Sequence, residues 1–217
     1  MKKNRMIRIA SVLLIAVLIS TCALSGTLAK YVTSETGSDS ARVAKWGVFV
    51  AVAVGTADGS AFADEYGATV KSSVADDAVV APGTSGTLLT SSISGAPEVA
   101  VSVKEVADLD LGAYWIANGG YYCPIKIVVT TDGGIPTVFN GMDYDTAADF
   151  EAAVEGVLNR DVDFAANTNL AKGHVVTWEW TFNGGVEQTD ANDSILGEAA
   201  SAPSISFTYS ATVTQRD

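Results

Sequence analysis

The chain has 217 residues, with 13 lysines and arginines against 25 aspartates and glutamates, a single histidine and two cysteines. A net charge of −12 repels nucleic acid and anionic lipid surfaces, so neither is an expected partner. One histidine is too few for the usual ligand set of a zinc hydrolase, and two cysteines, one of them Cys22 near the N-terminus, give no disulfide framework.

Lys2, Lys3, Arg5 and Arg8 precede an uncharged run over residues 9–29 that contains ASVLLIAVLI and turns polar at Ser20 and Thr21. A basic start, an apolar middle and a small-residue exit are the order of a secretory signal peptide. Thr27 and Ala29 stand third and first before the expected cut, which makes Lys30 the new N-terminus. The alternative is an uncleaved anchor, because the run is just long enough to span a bilayer. Loss of residues 1–29 removes four basic residues and no acidic one, leaving nine against twenty-five, a charge of −16. The expected protein is secreted, meets a signal peptidase, and touches the membrane only through the signal before cleavage.

Residues 30–40 read as an exposed arm, opening with Lys30, Tyr31, Val32, Thr33 and Ser34 and then turning polar and acidic. Residues 41–217 read as one domain. Around Trp46 the composition steps to apolar, and residues 46–54 predict a strand buried on both faces. A weak strand is expected over residues 68–74, and a short apolar run at residues 79–81 leads into a turn at Pro82-Gly83. Strands follow at residues 88–93 and 98–106, the second alternating Val99, Val101 and Val103 against Ala100, Ser102 and Lys104. That alternation gives one core face and one wet face.

Asn118-Gly119 between two aromatic pieces predicts a hairpin, since both residues tolerate positive φ. Strands are expected at residues 125–131 and 137–139, and a helix at residues 146–158 with Thr146 as its cap. HVVTWEWTF, residues 174–182, predicts a strand with Val176, Trp178, Trp180 and Phe182 on its core face. A helical turn over residues 190–200 and an alternating strand over residues 204–214 complete the chain. Many short strands separated by turn signals give a mainly β fold, an antiparallel β-sandwich with one or two short helices in its connections. Cys123, set in YYCPIKIVV, is expected as a small buried residue.

The signal ending GTLAKYV, the GSDSARVAKW run over residues 37–46, the Ala81-Pro82-Gly83 turn, and Trp178-Glu179-Trp180 followed by NDSILG resemble the TasA/camelysin family. That family comprises secreted Gram-positive proteins released by a dedicated signal peptidase, and some members form biofilm matrix fibres. The resemblance implies a jelly-roll-like sandwich and a homo-polymer in which the N-terminal segment fills a groove of the next subunit, with related matrix proteins as further partners. Lys30, Tyr31, Val32, Thr33 and Ser34 are then the donor strand. Where members have proline after the second tryptophan, this chain has Thr181.

Some camelysin-like proteins are classed as metallopeptidases, but the chain has no H-E-x-x-H, and His174 stands alone at the expected start of a strand. No catalytic residue, cofactor-binding residue or metal ligand is assigned, and an enzyme is not expected. Two carboxylate groups, Asp143, Asp145 and Asp149, and Glu187, Asp190 and Asp193, carry the oxygen chemistry that Ca²⁺ takes, without EF-hand spacing. A secreted binding module that stacks a glycan or a surface protein on Trp115, Tyr121 and Tyr122 is the rival from another class.

Overall fold

Strand alternation, helix caps and positive-φ turns set most of the elements within residues 44–217. The computed structural model describes residues 10–16, 41–55, 61–182 and 187–216. It divides into two units, Met1–Val43 and Ala44–Asp217. In the first, residues 10–16 are helical; no helix among the described residues is long and apolar enough to cross a membrane. The expected cleavage residues Thr27, Ala29 and Lys30, and the arm residues Tyr31, Val32, Thr33 and Ser34, lie outside the described residues.

The second unit is mainly β, and every strand pairing is antiparallel. One sheet runs β1 (Val48–Val54), β4 (Ser85–Gly95), β12 (His174–Trp180), β8 (Ile125–Thr131) and β9 (Thr137–Asn140), with β11 (Leu170–Lys172) also on β4. The other runs β10 (Arg160–Phe164), β5 (Val101–Asp110) and β13 (Ser206–Gln215). Leu88, Leu89, Ile125, Ile127, Val176 and Trp178 from the first sheet and Ala107, Leu109 and Phe207 from the second share one buried core. The two sheets are thus the layers of a sandwich. Two small hairpins, β2 (Glu65–Tyr66) with β3 (Val70–Lys71) and β6 (Ile116–Ala117) with β7 (Gly120–Tyr121), stand apart from them. The first replaces the single weak strand expected over residues 68–74.

Local detail follows from residue type. The β6–β7 turn holds Asn118 at φ 53° and Gly119 at φ 78°, the left-handed pair the hairpin requires. Between β12 and β4 the register jumps, Val176 pairing Leu89 and Thr177 pairing Thr87, so Leu88 is the extra residue of a bulge. The bulge turns both Leu88 and Leu89 inward, and neither is exposed. Helix α1 (Ala147–Leu158) starts at Thr146, whose Oγ1 accepts from the Asp149 N–H at 3.2 Å while its hydroxyl donates to Asp149 Oδ2 at 2.7 Å. Phe150, Val154 and Leu158 are its buried face. Helix α2 (Glu187–Glu198) is longer at its start than the helical turn expected over residues 190–200, and buries Leu196.

Helix α1 also replaces a strand. β10 pairs with β5 only as far as Arg160 opposite Glu105, yet β5 continues to Asp110. Beyond β10, the N–H groups of Ala107, Leu109 and Leu111 donate to Asn159 Oδ1, Glu155 Oε1 and Glu151 Oε1 at 2.7, 2.9 and 2.8 Å. Residues 151, 155 and 159 share one side of the helix, so a row of side-chain oxygens does for β5 what a neighbouring backbone would.

Candidate functional site

β1 corrects the expectation of a strand buried on both faces. It lies at the edge of its sheet, paired to β4 alone, and its five central residues are exposed. Val48 and Val54 pack against the core, whereas Val50 and Val52, on the same inward row, remain 43% and 41% exposed. Phe49, on the opposite face, is 70% exposed. A continuous apolar run is the pattern of a strand covered on both faces, and here no element among the described residues covers its centre.

The other sheet ends in a matching edge. β13 pairs with β5 alone and lies against β1 across the sandwich. Its inward row, Tyr209, Ala211 and Val213, is half-buried; Tyr209 packs against the core that takes Val54, and Ala211 and Val213 against the one that takes Val48. β1 and β13 carry no charged residue in a chain of net charge −12. β10, the opposite edge of the second sheet, bears Arg160, Asp161 and Asp163. The sandwich therefore has one uncharged, half-covered seam between two edges whose outer N–H and C=O groups have no strand partner among the described residues, the arrangement that accepts an added strand.

The seam has a polar floor. Glu105 occupies an inward position of β5 and is fully buried; its carboxylate takes Arg160 Nε–H on Oε2 and the Tyr209 hydroxyl on Oε1. Arg160 reaches on to Asp132 through Nη1, at 2.9 and 3.1 Å. Lys172 Nζ and the Gly173 N–H donate to the same carboxylate at 2.8 and 2.9 Å. Burial raises the Asp132 pKa and these three partners lower it, with a net shift below the ordinary carboxylate value. The buried His174 joins the group through Thr131 Oγ1 at 3.1 Å and Arg160 Nη2 at 3.2 Å. Burial, reinforced by Arg160 and opposed by Glu105 and Asp132, holds its imidazole pKa below 6.5. His174 begins a strand as expected, but inside the sandwich and not at a loop edge.

No family model, curated protein or solved structure matches the chain.

The remaining expected residues fall into place one by one. Trp115 and Tyr122 are buried and Tyr121 is half-buried, so these rings form no exposed stacking platform. Trp115 Nε1 donates to Ser204 O at 2.9 Å, and the Tyr122 hydroxyl donates to Asp193 Oδ1 at 2.8 Å. Trp178 and Trp180 are core, but Phe182, past the end of β12, is exposed and leaves the predicted core face. Cys123 is buried, and burial lifts its thiol pKa to about 11. Asp143 accepts from Asn140 Nδ2 and Asp149 accepts from the hydroxyl of Thr146, the cap of α1; among the described residues no three His, Cys, Asp or Glu side chains are grouped to hold a metal ion. The floor itself had a legible signal: Glu105 and His174 both fall on the inward, otherwise apolar rows of their strands.

Proposed function

We propose that the protein is a secreted structural subunit of extracellular matrix or surface fibres, in which Lys30, Tyr31, Val32, Thr33 and Ser34, freed by cleavage after Ala29, add as a strand to the seam of a neighbouring copy. The observation that carries this reading is the half-covered seam: two uncharged edges, with Val50 and Val52 left about two fifths exposed in a row whose other members are packed. Full burial of a valine is worth ~1.5–3 kcal/mol, so covering the rest of these two returns about 1 kcal/mol apiece. Each new backbone hydrogen bond adds ~0.5–1.5 kcal/mol net. Ordering five residues costs ~1–2 kcal/mol each, so the balance is close and favours an arm with Tyr31 and Val32 as anchors. A contact between a donor arm on one copy and a seam on the next is head-to-tail, and repeats as a filament where the rotation between copies closes no ring.

The test compares chains beginning at Lys30 and at Ala41 by negative-stain microscopy and light scattering, with circular dichroism to show that both fold. Filaments from the longer chain alone support the reading. Two folded chains that both stay monomeric across pH, salt and Ca²⁺ refute self-assembly through the arm.

A further inference from the structure

The floor of the seam closes through one hydrogen-bonded chain that runs from sheet to sheet. The backbone N–H of His174 donates to Ser91 Oγ on β4 at 2.9 Å, Ser91 donates to Tyr209 Oη on β13 at 3.4 Å, and Tyr209 donates to Glu105 Oε1 on β5. Ser91 stands directly opposite Val52 in the β1–β4 pairing, so this chain crosses behind the exposed part of the seam. Tyr209 is the only side chain of β13 in it.

The protonation of His174 decides how that chain is held. Arg160 Nη2 can only donate, so at 3.2 Å it fixes His174 Nε2 as an acceptor and places the ring proton on Nδ1, facing Thr131 Oγ1. Glu105 Oε1 is 3.5 Å from the same Nε2, too far to matter to a neutral ring that has no proton there. A proton on Nε2 reverses both relations. Arg160 then meets a second donor and a second positive charge, and Glu105 Oε1 becomes the nearest acceptor. To close from 3.5 Å to the ~2.8 Å of a charge-assisted bond, the imidazole must move toward the oxygen that takes the Tyr209 hydroxyl, whose ring already stands edge-on to it at 6.1 Å, and a charged second donor on that oxygen weakens its bond to the first.

We infer that His174 is an acid-operated latch on the seam: neutral, it leaves Tyr209 bound to Glu105 and Ser91 and ties β13 to the floor; protonated, it competes with Tyr209 for Glu105 Oε1 and loosens β13 along the seam. What enters the seam rests on the fibre reading, whereas loosening of β13 is a property of the single chain. The groups facing the imidazole are Glu105 from β5, Arg160 from β10, Thr131 and Asp132 from the end of β8 and Tyr209 from β13, while Ser91 of β4 takes the backbone N–H of the same residue. Lys172 of β11 is tied to Asp132. Two carboxylates thus face two cations, and the imidazole proton is the one unbalanced charge. Burial makes that proton arrive below the ordinary imidazole value of 6.5.

Hydrogen–deuterium exchange of the full chain tests the latch, read on peptides from Ser206–Gln215, with peptides from Ala147–Leu158 as reference, at about pH 7.5 and about pH 5. Rates are taken relative to the unfolded chain at each pH. The expected result is a loss of about tenfold in β13 protection at the lower pH, the worth of about one net hydrogen bond, with the helix unchanged. His174→Gln abolishes the step. Tyr209→Phe, which removes the donor to Glu105 and leaves His174 in place, gives the low protection at both pH values and carries the test should His174→Gln not fold. Equal β13 protection in the wild-type chain at both pH values, a parallel loss in the helix, or a step that survives His174→Gln overturns the latch. Light scattering at the same two pH values on the chain beginning at Lys30, whose arm is free, separates the two ideas. Loosening of β13 without filaments refutes the fibre reading and leaves the latch standing; filaments at equal rates with β13 unchanged do the reverse.

Discussion

Replacing Glu155 with alanine removes the middle rung of the ladder between helix α1 and β5. The Leu109 N–H, inside the sandwich edge and bonded to Glu155 Oε1 at 2.9 Å, loses its acceptor, and no strand lies beside it to supply another. A buried donor left unsatisfied costs ~1–3 kcal/mol, and alanine returns a few tenths through its helix propensity, so the expected loss is about 2 kcal/mol. In a unit of this size about 2 kcal/mol lowers the melting temperature by roughly 4–8 °C. Glu155→Gln keeps an oxygen at the same reach without the charge and is expected to lose about half as much, because charge-assisted bonds are roughly twice as strong as neutral ones. The control is Glu179→Gln, which breaks the 2.6 Å pair with Lys126 on an accessible surface and costs less than about 1 kcal/mol. Urea unfolding followed by circular dichroism, with exchange of the Leu109 amide, measures all three. If Glu155→Ala loses no more than the Glu179 control, or the Leu109 amide keeps its protection, the helix is not serving as a strand.

Other expectations follow from the same structure. Because burial holds the His174 pKa below 6.5, the unfolded chain binds the proton first as pH falls; stability from this group is complete above pH 6.5, declines below it, and levels off under the folded pKa. Urea midpoints against pH should show that slope in the wild-type chain and a weaker one in His174→Gln. With its thiol raised to about 11 and buried, Cys123 should react with iodoacetamide at least about a hundredfold more slowly in the native chain than in urea; comparable rates would contradict its burial. Gly95 has φ 119°, and a Cβ there would lie 1.9 Å from Gly47 O, at the point where the chain enters β1. Gly95→Ala should cost about 2 kcal/mol or more, since backbone cannot yield as a side chain can, and exchange measurements should find β1 loosened ahead of the rest of its sheet.

What the sequence disclosed depended on how many neighbours decide each residue. β5 and β12 follow the period of two, and α1 its Thr146 cap and 3.6-residue spacing, because these rules act within one element. β1 is where such reasoning failed. VFVAVAV is equally apolar whether the cover comes from its own chain or from none, and only the sheet order distinguishes an edge from a centre. Phe182 continues the phase of Trp178 and Trp180, but β12 ends at Trp180, where its N–H donates to Thr84 O and the backbone turns away. Glu105 and His174 needed to be read together. Each alone looks like a polar lapse on an inward row, while one anionic and one titratable residue on the inward rows of two strands, with Arg160 next to a helix end, are the parts of a buried network.

The ladder on β5 also sets its own limit, because it joins two rulers of different pitch. Four residues of helix advance about 6.0 Å and two residues of strand about 6.8 Å, so every further rung lags by about 0.8 Å. The side chains compensate: the short Asn159 serves the rung nearest β10, and the longer Glu155 and Glu151 serve the two beyond. A fourth rung would fall at residue 147, and the residue there is Ala147, which has no oxygen to offer. β5 ends at Asp110, whose own carboxylate turns back to take the Gly112 N–H at 2.7 Å. A helix and a strand can remain commensurate for three steps, and the strand stops where the match runs out.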